Sequence, residues 1–150
     1  MGWLKNFPVP EYQLGLLLVG LVLHFWAADS TTFVTNIGYV IFGGALIAGS
    51  VVLSVWAATS FGQEAMAKPE TLRTSGPYRF TRNPMYLSWL LVTLGLGLLL
   101  GSWWLIAASL IAGTITQFRV ISGEEKFLTE QFGEEYETFC NRTPRWLWPL

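Results

Sequence analysis

Two polar clusters interrupt an otherwise apolar sequence of 150 residues, and their side-chain types suit the binding of a charged organic ligand. The first is Gly76-Pro-Tyr-Arg-Phe-Thr-Arg-Asn-Pro-Met-Tyr86, which sets Arg79 and Arg82 just ahead of an Asn-Pro pair. Asn is a favoured N-cap, and Pro at the first helical position gives up no N–H that the helix would use. Asn83 and Pro84 therefore predict a helix start whose free N–H groups and positive dipole end lie beside two guanidinium groups, an arrangement suited to an anion. Anchoring of the loop to anionic lipid is the alternative use of the same arginines. The second cluster is the adjacent pair Glu124 and Glu125. On a helix, Gln117, Ile121 and Glu124 share a face through i, i+4 and i+7 spacing, with Glu125 adjoining it. Brought to one depth, the two clusters make a pocket for a zwitterion.

The elements that must position them are apolar. Hydrophobic residues make up 52% of the chain and charged residues 13%, the composition of a membrane protein. Four apolar runs, Tyr12 to Ala28, Ile37 to Ala58, Met85 to Leu100 and Trp103 to Val120, are each near the length of about 20 residues that crosses about 30 Å of hydrocarbon as a helix. Their continuous, non-alternating pattern excludes a barrel of strands. The expected fold is thus all-α, a polytopic membrane protein with four transmembrane helices forming a single domain over residues 1–150.

Cation placement orients the helices. Lys68, Arg73, Arg79 and Arg82 crowd the connection between the second and third runs, and Lys126, Arg142 and Arg145 follow the fourth. The other two connections, Asp29 to Asn36 and Gly101 to Ser102, hold no Lys or Arg. The positive-inside rule then places both termini and the long middle loop in the cytoplasm, for a bacterial protein across the cytoplasmic membrane. A single Lys5 and the poor cleavage site at Trp26-Ala27-Ala28 read the first run as a retained helix and not a signal peptide. Trp103, Trp104, Trp146 and Trp148 are expected at the membrane interface, and Trp56 and Trp89 near helix ends. After the fourth run, Leu128, Phe132, Tyr136 and Phe139 recur at helical spacing among Glu130, Glu134, Glu135 and Glu137, which predicts a cytoplasmic amphipathic C-terminal helix over the bundle, locally weakened by Gly133.

Several chemistries are disfavoured. Cys140 is the lone cysteine, so there is no internal disulfide and no cysteine cluster for a metal, and no metal site is expected. One histidine, His24, lies deep in the first run, where a neutral hydrogen-bonded packing role is expected; Ser-His-Asp and Cys-His catalysis have no support. No acidic residue occurs in the four runs, which leaves a small proton-driven transporter as an alternative without its usual intramembrane carboxylate. No nucleic-acid partner is expected.

The segment Gly76 to Tyr86, followed by Glu124-Glu125 and then by Phe132-Gly-Glu-Glu-Tyr136, resembles the integral-membrane methyltransferases of the isoprenylcysteine carboxyl methyltransferase and phospholipid methyltransferase superfamily. The resemblance covers roughly Leu72 to Trp146, and the first two runs match in character only. It implies methyl transfer from S-adenosylmethionine to a lipid or lipid-tailed acceptor at the cytoplasmic face. It further implies that Arg82, Asn83, Pro84, Tyr86, Glu124 and Glu125 line the cofactor site, with Arg82 and Glu125 as the catalytic pair. Within that frame Arg79 or Arg82 would meet the cofactor's carboxylate, and Glu124 or Glu125 its ammonium or ribose hydroxyls. Tyr78 and Tyr86 would pack near the adenine or the sulfonium, or serve in plain packing, and Gln117 would complete the polar edge. Asn83 stands where isoprenylcysteine enzymes usually carry His, as in the phospholipid branch, and an Asn supplies hydrogen bonds but no base. Ser88 replaces a common Gly. The superfamily shades into NADPH-dependent membrane reductases, which are the other alternative, although this chain is short of their extra helices.

Overall fold

The computed structural model describes residues 10–27, 32–60 and 71–147, and the described part is helical apart from turns and one isolated bridge between Thr32 and Ser102. Lys5, Ala28, Asp29, Lys68 and Trp148 lie outside the described residues. Helix α1 spans Glu11–Trp26 and α2 spans Ile37–Ser60. A short 3₁₀ turn, Gly76–Arg79, leads to α3, Pro84–Leu100. Helix α4 runs over Trp103–Phe132, with a π turn at Thr116–Val120, and α5 over Glu134–Arg142 closes the described order. Pairwise packing places the first four in the row α2, α3, α4, α1.

Two of these helices, α2 with 24 residues and α4 with 30, are long and apolar enough to cross a membrane. Only 17% of the apolar window of α2 and 33% of that of α4 is buried, whereas the core helix of a soluble protein would be mostly covered. Val22, Phe25, Ile41, Phe42, Val52 and Leu110 point large apolar side chains outward. A surface this apolar is stable against lipid and not against water. Helices α1 and α3 are apolar but shorter, at 16 and 17 residues.

What holds the row together is close backbone approach. A Cβ on Gly43 would sit 2.8 Å from the Gly95 carbonyl oxygen, and one on Gly95 would sit 2.8 Å from the Gly43 oxygen, so α2 and α3 meet backbone to backbone. In lipid, where apolar side chains gain little by leaving their surroundings, such small-residue contacts and interhelical hydrogen bonds supply the association. Ser54 of α2 donates to Ser88 Oγ of α3 at 2.7 Å, and Ser109 of α4 donates to the Leu90 carbonyl of α3 at 3.1 Å. The small hydroxyl at Ser88 thus takes part in a helix contact that Gly could not make.

Between α3 and α4 the chain turns within Gly101 and Ser102. Gly101 has φ +60°, and a Cβ there would meet the Phe33 carbonyl oxygen at 2.4 Å. Ser102 caps α4, its hydroxyl accepting from the Leu105 N–H. His24 is buried with its ring edge-on to Phe25, a packing role, and its Nδ1 has no hydrogen-bond partner among the described residues.

Two features depart from the expected pattern. The fourth helix does not stop at Val120 but continues to Phe132, and the amphipathic stripe beyond it is split: Gly133, at φ +50° and ψ −124°, ends α4 and turns the chain into α5. Leu128 and Phe132 therefore belong to the end of α4, while Tyr136 and Phe139 are buried from α5. The π turn is the second departure. Its wider, i→i+5 bonded turn breaks the 3.6-residue phase on which the shared face of Gln117 and Glu124 was predicted.

Candidate functional site

The start of α3, the lower half of α4, α5 and the segment at 143–146 converge around one guanidinium. Arg82 Nη1 donates to Glu125 Oε1 at 2.8 Å and to Tyr136 OH at 3.5 Å, and also reaches Cys140 Sγ. Arg145 grips the same carboxylate from the other side, Nε donating to Oε1 at 2.8 Å and Nη2 to Oε2. Both oxygens of Glu125 are thus engaged. The side chains of Arg82 and Glu125 are 14% and 18% exposed, so this ion pair is largely withdrawn from water and is stronger than a surface pair. The hydrogen bonds that Arg145 donates to Glu125 raise its already high pKa, and burial raises that of the Tyr136 phenol, so the Arg145 guanidinium stays charged and the phenol neutral.

Backbone contacts bring these groups together. Arg82 N–H donates to the Pro144 carbonyl at 2.9 Å, and the Arg145 carbonyl accepts from Thr81 Oγ1 at 2.8 Å and from Asn83 Nδ2 at 3.1 Å. Pro84 is the first residue of α3, as its fixed φ and missing donor favour. Asn83 precedes it at the cap position, but its side chain makes no cap hydrogen bond. The expected cap bond from the side-chain oxygen is thus absent, and the Nδ2 group donates to the Arg145 carbonyl, which fastens the later segment across the helix start.

Glu124, one residue before Glu125, points to a different partner. Its carboxylate accepts a short hydrogen bond from Tyr86 OH across the gap between α4 and α3, and the residue is exposed. Tyr78 lies close enough that the Glu124 charge adds to burial in raising its phenol's pKa. Above the tyrosines, Gln13 of α1 donates to Thr116 Oγ1 at 3.0 Å, and Tyr12 OH shares the same hydroxyl at 2.5 Å. Thr116 opens the π turn and is fully buried. Helix α1 is thereby tied to the point where α4 widens.

The structure brings together Arg82, Asn83, Pro84 and Glu125 in one cluster and Tyr78, Tyr86 and Glu124 in a neighbouring one. It does not bring Arg79 to either. Arg79 is exposed and lines an open groove with Arg142 and Glu135 of α5. Gln117 is also elsewhere: its Oε1 accepts from Trp146 Nε1 at 2.7 Å. Trp146 was expected as an interfacial anchor, yet its indole is half-buried and committed to that bond.

Arg145, Tyr136, Cys140, Tyr12 and Thr116 were not singled out as site residues. Only Arg145 carried a signal, as a second cation facing one Glu pair in a chain with few charges; the others depend on contacts across 54 to 104 residues. Among the described residues no group of three His, Cys, Asp or Glu side chains could hold a metal ion.

Chemically, the arrangement offers an anion partner and a cation partner side by side. Arg82 Nε is buried without a hydrogen-bond partner among the described residues, and a buried donor of this kind is costly unless a ligand or water satisfies it. Glu124 has lone pairs left after its bond from Tyr86. A guanidinium with a spare donor and a carboxylate with spare acceptors suit the two charges of a zwitterionic ligand.

The profile of the family described as Phospholipid methyltransferase matches residues 38–135, about two-thirds of the chain, from α2 through the start of α5. The chain is also 39% identical over 77 residues to the cobalt-zinc-cadmium resistance protein CzcN of Cupriavidus metallidurans. That similarity takes in 51% of this chain but 35% of the relative, so the chain spans about a third of the relative's length.

Proposed function

This chain belongs to the phospholipid methyltransferase family, and from that premise we propose that it transfers a methyl group from S-adenosylmethionine to a lipophilic or lipid-tailed acceptor at the cytoplasmic face of the membrane. The observation that carries the proposal is the pairing of Arg82 with Glu125, 43 positions apart, with the Tyr86–Glu124 bond beside it in sequence. When bound, the cofactor supplies an activated methyl on a sulfonium, so the protein's work is to position, to exclude water and to match charge. Arg82 holds the carboxylate end through the donors that Glu125 leaves free. Glu124, oriented by Tyr86, receives the ammonium or a ribose hydroxyl. Glu125 acts through Arg82 and Arg145 by fixing both guanidiniums. Asn83 fastens the 143–146 segment, and Tyr78 and Tyr86 wall the side nearest Glu124. The acceptor reaches this site from the bilayer, because the flanking helix faces are apolar.

Equilibrium binding of S-adenosylhomocysteine to the purified protein in nanodiscs tests the reading. Saturable binding is expected, with none for NADPH. Binding of NADPH alone would move the chain to the reductase branch of its superfamily.

The arrangement further requires four spans, α1 to α4, with both termini and α5 in the cytoplasm as one domain. The cation distribution supports that orientation: Arg73, Arg79, Arg82, Arg142 and Arg145 lie beyond the ends of α1 to α4, Arg119 and Lys126 lie in the second half of α4, and the connections at 32–36 and 101–102 hold no Lys or Arg. In a Cys140→Ala background, cysteine at Thr35 should react with an impermeant thiol reagent from outside. Cysteine at Thr71 should react only after permeabilisation. Labelling of both positions from one side would overturn the topology.

A further inference from the structure

Helix α5 has two working faces. Tyr136 and Cys140 turn to Arg82, as described, while Glu135, Thr138, Phe139 and Arg142, spaced i, i+3, i+4 and i+7, line the groove that holds Arg79. The groove has a volume of about 580 Å³ and contains none of the residues of the Arg82–Glu125 or Tyr86–Glu124 clusters. Phe139 is its buried floor, and the hydroxyls of Thr74, Thr138 and Thr143 stand on its walls. Two guanidiniums, Arg79 from the 3₁₀ turn and Arg142 from the last turn of α5, enter it from different elements. Neither has an ion-pair or hydrogen-bond partner among the described residues, in contrast to Arg82 and Arg145. Paired, unneutralised guanidiniums with hydroxyls between them match the oxygens of a phosphate group, which accept several charge-assisted hydrogen bonds at once. One carboxylate, Glu135, opposes them.

The rim identifies the source of the phosphate. Phe80, next to Arg79, is 58% exposed and its ring lies 6.1 Å from that of Trp56, itself exposed near the end of α2. An aromatic pair at the end of a membrane-length helix belongs at headgroup depth, and Phe80 directly follows Arg79 of the groove. We propose that the Arg79–Arg142 groove binds the headgroup phosphate of a membrane phospholipid, at a site separate from the one assigned to methyl transfer.

The experiment is thermal unfolding of the purified protein in uncharged detergent during titration with dihexanoyl phosphatidylglycerol, sodium phosphate, or dihexanoylglycerol, which has the tails without the phosphate. Saturable stabilisation by the phospholipid is expected, with sodium phosphate far weaker and dihexanoylglycerol inert. Arg79→Gln and Arg142→Gln should each raise the half-saturating concentration about tenfold, the loss of one hydrogen-bonded charge. Glu135→Gln should lower it, since the carboxylate that opposes the two guanidiniums is removed. All three side chains are exposed, and unliganded melting temperatures matching the wild type will show that the variants fold. Equal response to sodium phosphate and phospholipid would keep the phosphate chemistry and overturn the lipid assignment. Equal response to dihexanoylglycerol, no response at all, or a response indifferent to both arginine changes would overturn the site.

Discussion

Glu125→Gln should lower the unfolding free energy by about 2 to 3 kcal/mol, because it strips the counter-charge from two guanidiniums at once and leaves Arg82, largely buried, without an anion. The amide keeps one acceptor oxygen, so the loss is electrostatic and not a cavity. Thermal or denaturant unfolding in nanodiscs reads the change. Binding of S-adenosylhomocysteine should weaken about tenfold or more, since Arg82 and the 143–146 segment lose their common support. Glu124→Gln supplies the contrast. That residue is exposed and bonded to Tyr86 alone among the described residues, so its variant should lose affinity with little loss of stability. Should Glu125→Gln leave both stability and affinity unchanged, the carboxylate is not the brace described here. Should Glu124→Gln leave affinity unchanged, the cofactor's cationic end is held elsewhere.

Gly95→Leu should be more damaging still, costing more than about 3 kcal/mol. Even the first carbon of the new side chain would lie 2.8 Å from the Gly43 carbonyl oxygen and 2.8 Å from Ile47 Cγ1. A backbone carbonyl in a helix cannot step aside, so α2 and α3 must separate, and Ser54 then loses Ser88. Gly49→Leu on the same helix pair is the control: nothing lies within 4 Å of a Cβ there, and the residue faces outward. It should leave the unfolding transition in place. Similar losses from both substitutions would show that glycine matters here for reasons other than the α2–α3 approach.

Much of this molecule could be read before any coordinates. The four apolar runs begin within a residue or so of the helices they became, because uninterrupted hydrophobicity marks an apolar helix, and two of the four are long enough to cross a membrane. Pro84 opens α3 as its ring geometry demands. Arg82 and Glu125 meet, although their link spans 43 positions, since few charges were available to pair. Illegible features were those decided by tertiary contact. The π turn at Thr116 has no local sequence signature, and it moved Gln117 off the Glu124 face. Asn83 has the acceptor oxygen of a cap but makes no cap hydrogen bond, and its Nδ2 donates to a carbonyl 62 positions away. Arg79 and Arg82 are neighbours in sequence, yet the 3₁₀ turn and the opposite faces of α5 send them to different places. Gly133 was read as a weak point in one helix and proved to be the joint between two.

The segment at 143–146 lies across the start of α3 and comes after every residue of the helical row. The glycine and serine contacts that join α2 to α3 and α3 to α4 are all made by residues before 110. Thr81, the Arg82 amide and Asn83 instead take their partners from the carbonyls of Pro144 and Arg145. Removal of the residues after α5 would therefore leave those helix contacts in place and strip the start of α3 of its fastening.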